Sequence, residues 1–467
     1  MMTLQQASSW VADATLVGPG SVEFKRVHTD TRNLQPGDLF VALKGDNFDA
    51  HDFLVQAKTQ GAVAAIAQHG LLDAGLPGLQ VSDSKIAIGQ LAAGWRSQFE
   101  LPLVAVTGSN GKTTVTQMIA CVMRAFKSSQ ALATQGNLNN DIGVPLTLLR
   151  LTADHRIGVV ELGMNHPGEI AYLAQIAKPT VALVNNAQRE HLEFMGTVEA
   201  VAHENGAVID ALGPLGVAVF PQDDDYTAVW IKKAGRRQVV TFAISGDADV
   251  TAEADWTGSA WSVVARTPQG ALTFQLHIAG RHNVKNALAA VACCLAAGVP
   301  TEFISNGLSE FEPVKGRSRA LQLNLQGHPF TLIDDTYNAN PDSMRAAIDV
   351  LAALPGPRLL VMGDMGEVGD QGPQFHEEAV RWAHAQGIET LYTLGVQSGL
   401  AAQAFSGGGA GHSRHFDDIE TLTEAVTAQL PAVSSLLVKG SRFMKMERLV
   451  QAITAQQQKQ KEVQHAH

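Results

Sequence analysis

The sequence predicts an α/β protein with more than one domain, and three observations lead there. Short apolar runs alternate with helical patterns over residues 103–185 and again over 332–438, as in parallel sheets covered on both faces. Between the first run and its helix lies a glycine-bracketed loop, Thr107, Gly108, Ser109, Asn110, Gly111, Lys112, Thr113, Thr114. The length of 467 residues gives room for two to four separate cores.

Taken in order, residues 1–84 form a small α/β unit. Strand-like runs at 38–43 and 62–66 are punctuated by the turn signals Gln35-Pro36-Gly37 and Lys44-Gly45-Asp46. Residues 85–312 carry strands at 103–106, 157–161 and 180–185, with helices at 112–126 and around 170–177. Residues 313–467 repeat the theme as a second doubly wound sheet, with strands at 332–334, 358–361, 390–394 and 435–438. The glycine-rich stretch 406–411 reads as a flexible surface loop, and the Gln- and Lys-rich tail 456–467 as frayed.

Composition excludes several classes. Hydrophobic residues make up 45% and charged ones 17%, ordinary values for a globular chain. A net charge of -11 offers no surplus to neutralise nucleic acid or an anionic membrane, so local Lys, Arg or a cation must meet any anionic substrate. Cys121, Cys293 and Cys294 lie in apolar helical stretches and read as reduced core thiols. With no basic-then-apolar leader and no apolar run of spanning length, the expected location is cytoplasmic, without membrane insertion.

The loop at 107–114 reads as a phosphate cradle. Gly108 and Gly111 let backbone N–H groups approach anionic oxygens, and the following helix points its positive end at them. Lys112 would reach the outer phosphates, and the Thr113 hydroxyl would help hold magnesium. Only two residues separate the glycines, where the general loop has four before its Gly-Lys pair. Glu161 ends the run 157–161 in the same sheet, so it is either a magnesium ligand or a capping, solvated carboxylate. His191, in the loop after Asn185 and Asn186, is either a ligand for a metal or phosphate oxygens, or a plain hydrogen-bonding residue. Asn283 and Asn286 share a helix face, where they would read an adenine edge, or Asn283 would cap the helix. Lys315 to Arg319 gathers cations, and Asp334 to Met344 closes a strand with a dense polar loop.

The short loop, the Glu161 segment, Asn186 with His191, the run from Gly280 to Ala290, and Gly316-Arg317 resemble, in this order, the Mur ligases of peptidoglycan synthesis. Residues 136–145, 334–344, 363–369 and 438–442 look like the members that add D-alanyl-D-alanine. The resemblance covers nearly the whole chain. It implies three domains: 1–84 for a UDP-sugar, 85–312 as a central P-loop parallel-sheet ATPase domain, and 313–467 as a Rossmann-like domain that closes over both. It implies ATP and Mg2+ as cofactors and UDP-N-acetylmuramoyl-tripeptide and D-alanyl-D-alanine as substrates, with an acyl phosphate between them, and a monomer is expected. Lys112, Glu161 and His191 would be catalytic, with Thr113, Glu161 and His191 on metal. Residues 108–114, Asn283, Asn286, Arg317 and Asp335 would hold nucleotide. Thr31 and Arg32 would lie on the uridine side, unless they are a capped surface turn. Asn137, Asn139, Asn338 and Asn340 would lie on the substrate side.

One departure stands out. Many Mur ligases carry a carbamoylated lysine for a second magnesium, and Asn205 stands at that place here. An amide cannot form a carbamate. Glu204 or water would then complete the site, or the second ion is held more weakly.

Overall fold

Among the described residues, three sheets of five or six strands follow one another along the chain, each with its own helices. The computed structural model describes residues 1–325, 327–406 and 412–465. The first sheet has five strands in the order Thr15–Val17, Gly78–Gln80, Ala62–Ala67, Asp38–Val41, Arg26–His28. All its pairs are parallel except the one that adds Thr15–Val17. The next helix, Ser84–Arg96, is started by the Asp83 carboxylate, which accepts from Lys85 N and Ile86 N. It packs on helices Gly143–Leu148 and Glu169–Ala177, so it rests on the second unit.

The second sheet is wholly parallel. Its order is Ala131–Ala133, Ile157–Glu161, Leu103–Thr107, Val181–Val184, Val217–Pro221, Gln238–Phe242. Leu103–Thr107 comes first in the chain yet lies inside the sheet, with later strands on both sides. The crossovers therefore diverge at its carboxyl end and leave a crevice there. Ile157–Glu161 is buried along its whole length, which is why it shows no alternation. Helix Lys112–Lys127 buries Val115, Met118, Ile119 and Val122, and helix Thr301–Ser309 lies so close that a Cβ on Gly307 would fall 2.4 Å from Val122 Cα.

A three-stranded antiparallel sheet, Thr251–Trp256, Trp261–Thr267 and Gly270–Leu276, was not expected. Leu272, Phe274 and Leu276 point inward between exposed neighbours and cover helix Thr301–Ser309. The third sheet runs Arg319–Leu325, His328–Asp335, Ser435–Lys439, Arg358–Gly363, Thr390–Leu394, His412–Phe416. It departs from the doubly wound expectation at one edge, where Arg319–Leu325 pairs antiparallel with His328–Asp335 as a hairpin. The tail is also different from expectation: helix Glu447–His465 continues through most of it, seated by buried Leu449, Val450 and Ile453. Of the expected loop at 406–411, Ser406 ends helix Gln403–Ser406 and the rest lies outside the described residues. Among the described residues no helix is long and apolar enough to cross a membrane, and all three cysteines are free.

Candidate active site

Strand Leu103–Thr107 delivers the glycine loop to the crevice. Gly108 and Gly111 take φ values of 132° and 82°, both in the region that side chains resist. Space is lacking as well, since a Cβ on Gly111 would sit 2.6 Å from Asn286 Oδ1. Lys112 Nζ donates to Gly108 O at 2.5 Å, Ser109 O at 3.0 Å and Glu190 Oε1 at 2.6 Å. Thr113 Oγ1 donates to Glu161 Oε1 at 3.0 Å, and Asn139 Nδ2 donates to the same oxygen at 2.8 Å. Glu161 is only 1% exposed, yet its Oε2 has no partner. Such an orphan is costly unless something positive meets it. A buried carboxylate oxygen beside a threonine hydroxyl and a phosphate loop fits a hard divalent cation such as magnesium.

The segment after strand Val181–Val184 lies along the loop. Asn186 Oδ1 accepts from Asn110 N at 2.8 Å, and Gln188 Oε1 accepts from Asn110 Nδ2 at 2.6 Å. Behind the loop, Asn185 Nδ2 donates to Asn286 Oδ1, Asn286 Nδ2 to Asn283 Oδ1, and Asn283 Nδ2 to Ala279 O. Asn283 and Asn286 are thus rungs bracing the loop, and the helix is capped by Gly280 instead of Asn283. His191 Nδ1 lies 2.6 Å from Glu367 Oε2, and His191 Nε2 3.5 Å from Glu190 Oε1. Burial pulls its pKa down, but the hydrogen bonds with Glu190 and Glu367 outweigh that and raise it to about 9. The two flanking carboxylates thus favour the protonated ring.

The third unit supplies the opposite wall. Lys439 Nζ donates to Asp335 Oδ2 at 2.6 Å and to Asn338 O at 2.9 Å. Asp335 Oδ1 also accepts from Ser318 N at 2.8 Å, and the Arg317 guanidinium stacks 4.0 Å from the Tyr337 ring centre. Asn340 caps helix Pro341–Ala352 by accepting from Ser343 N, and its Nδ2 donates to Asn110 Oδ1 at 2.9 Å. Arg189 crosses the same gap, with Nη2 donating to Asp342 Oδ1 at 2.7 Å and Nη1 to Glu378 Oε2 at 2.9 Å.

These walls enclose a cleft of about 1310 Å³. Ser109 to Thr114, Asn137, Asn139, Glu161 and His191 line it, and so do Asn283, Asn286, Arg317, Asp335, Asn338 and Asn340. Gly108 lies just behind. Thr31 and Arg32 do not line the cleft: they sit in a turn capped by the Asp30 carboxylate, with Arg32 paired to Asp30 at 2.7 Å. Glu190, Arg189, Gln188 and Lys439 were not assigned from sequence. The adjacency of Glu190 to His191 and the place of Lys439 in the 438–442 stretch were the signals the sequence held.

Asn205 is fully buried and accepts from Thr107 Oγ1 at 2.6 Å and Gly108 N at 3.0 Å. It holds the start of the loop. Glu204 faces elsewhere, accepting from Gly168 N and Ile170 N at the start of helix Glu169–Ala177, so it does not complete a metal site. Among the described residues, one group has metal-like spacing, Asp49, His51 and His69 in the first unit. Both ring nitrogens of His51 are already engaged, Nδ1 with Asp49 and Nε2 accepting from Gln68 N.

Comparison with known proteins agrees with this geometry. Residues 23–96 match the family description "Mur ligase family, catalytic domain", 106–294 "Mur ligase middle domain", and 316–442 "Mur ligase, glutamate ligase domain". The chain is 40% identical over 456 residues to UDP-N-acetylmuramoyl-tripeptide--D-alanyl-D-alanine ligase of Escherichia coli K12, covering 97% of this chain and 98% of that one. The enzyme of that name from Bacillus subtilis 168 is 33% identical, with 91% and 92% covered. A crystal structure of MurF from Acinetobacter baumannii superposes with a TM-score of 0.87 at 36% identity, covering 97% and 98%. The MurF ligase of Thermotoga maritima in complex with ADP gives 0.81 at 26%, covering 93% and 98%. With three domain matches, full-length relatives and one shared cleft, the chain belongs to the Mur ligase family.

Proposed function

We propose that the chain is an ATP-dependent ligase joining D-alanyl-D-alanine to UDP-N-acetylmuramoyl-tripeptide in peptidoglycan precursor synthesis. An oxygen of the tripeptide carboxylate attacks the γ-phosphorus of ATP, and ADP leaves. The dipeptide amine then attacks the acyl carbon, and that oxygen departs with inorganic phosphate. Two anions must meet for the first step, so the work of the site is to screen their repulsion and align them. Lys112 and the loop N–H groups hold the polyphosphate, and a protonated His191 would offset part of the negative charge of Glu190 and Glu367 beside it. Magnesium, held by Thr113 and Glu161, would supply further neutralisation of the phosphate oxygens. A second ion on His191 would first have to displace Glu367 and a proton.

In this assignment residues 1–84 hold the UDP-sugar, with Thr31 and Arg32 on the uridine side. Residues 85–312 hold ATP, and 313–467 close the cleft, bringing Arg317 and Asp335 toward nucleotide and Asn338 and Asn340 toward the peptide. Asn137 and Asn139 flank the tripeptide carboxylate. In this reading the enzyme works in the cytoplasm, as a monomer.

The observation that carries the proposal is that Lys112 and the orphaned Glu161 oxygen line one cleft, which residues of the third unit also wall. Phosphate release measured with each substrate omitted in turn tests it. Release should require ATP, the UDP-muramyl tripeptide and D-alanyl-D-alanine together. Release from ATP alone would mark a nucleotide switch.

A further inference from the structure

An ammonium has three hydrogens to donate, and in this structure those of Lys112 are all taken, by Gly108 O, Ser109 O and Glu190 Oε1. A phosphate oxygen can reach Lys112 only if one of these partners lets go. Two are carbonyls fixed by the fold of the loop. The third is a side chain that can turn.

Glu190 is 8% exposed, lines the same cleft, and its second oxygen, Oε2, is buried without a partner. Left in place, this carboxylate would face the incoming polyphosphate with like charge at short range. A metal-free nucleotide must therefore compete with Glu190 for the lysine. A divalent cation removes the conflict, because it takes carboxylate and phosphate oxygens together. Asn205, bound to Thr107 and Gly108, leaves Glu190 and Glu161 as the carboxylates with spare buried oxygens in the cleft among the described residues.

We propose that Glu190 is a charge gate on the phosphate loop: it competes with nucleotide phosphate for Lys112 and yields it only to a nucleotide that arrives with a divalent cation. Glu190 is a positioning residue, acting through Lys112. The gate rests on the nucleotide site proposed above and adds to it a preference for the metal complex over the free nucleotide.

The test is ADP binding to the full chain by calorimetry, in EDTA and in excess magnesium. In EDTA, Glu190→Gln should bind ADP at least about tenfold more tightly than the wild type, because the competing charge is gone. The gain that magnesium gives the wild type should shrink by a similar factor. Glu190→Ser should shift in the same direction, and Glu190→Asp, which keeps the charge, should stay close to the wild type. The gate is overturned if both neutral variants bind metal-free ADP no more tightly than the wild type, or if they keep its full magnesium dependence. Absence of ADP binding by the wild type even in magnesium would remove the nucleotide site itself, a distinct failure that takes the gate with it.

Discussion

His191 shows how much a single residue can depend on what surrounds it. The loop holds it at φ 49°, and Glu367 reaches it from the other domain. Its folded pKa is raised from 6.5 to about 9, so the stabilisation it brings is fully present below pH 6.5 and is lost as pH rises through about 9. Melting temperatures measured across that window should fall for the wild type and fall less for Glu367→Gln. An unchanged pH profile in that variant would show that the pair contributes nothing. Lys112, Thr113 and Glu161 were legible in the sequence because a strand, a tight loop and a helix place them by local rules. Glu190 was not, since it meets Lys112 from 78 residues away, and Arg189 meets Asp342 across 153. No spacing rule spans such distances.

Among the elements, the parallel strands were readable because burial on both faces leaves continuous apolar runs, as at Ile157–Glu161. The antiparallel sheet at 251–276 carries only short alternations, such as Leu272, Phe274 and Leu276, too brief to stand out from the polar residues around them. Asn205 closes helix Val198–Asn205 and ties it to the end of strand Leu103–Thr107. Asn205→Ala should leave the Gly108 N–H and the Thr107 hydroxyl buried without acceptors, at a cost of about 1–3 kcal/mol read by denaturant unfolding. Wild-type activity should not respond to added bicarbonate, because Asn205 has no amine to carbamoylate. A bicarbonate-dependent rate would place a carbamate on some other residue.

At the scale of the molecule, the first and second units share an apolar core, while polar contacts span the cleft between the second and third: Arg189 with Asp342 and Glu378, His191 with Glu367, and Asn110 with Asn340. These contacts became visible only once the three sheets were assembled. Arg189→Ala should loosen closure by about 1.5 kcal/mol, raising the KM for D-alanyl-D-alanine about tenfold with a smaller change in kcat. Scattering from the ligand-free variant should show a larger radius of gyration. Equal radii and an unchanged KM would leave closure to other contacts. The central claim is that the cleft activates a carboxylate by phosphoryl transfer, and the fate of one oxygen atom tests it most directly. With 18O in the terminal carboxylate of the UDP-muramyl tripeptide, turnover should place one labelled oxygen in each inorganic phosphate released. Phosphate free of label would contradict the acyl phosphate route.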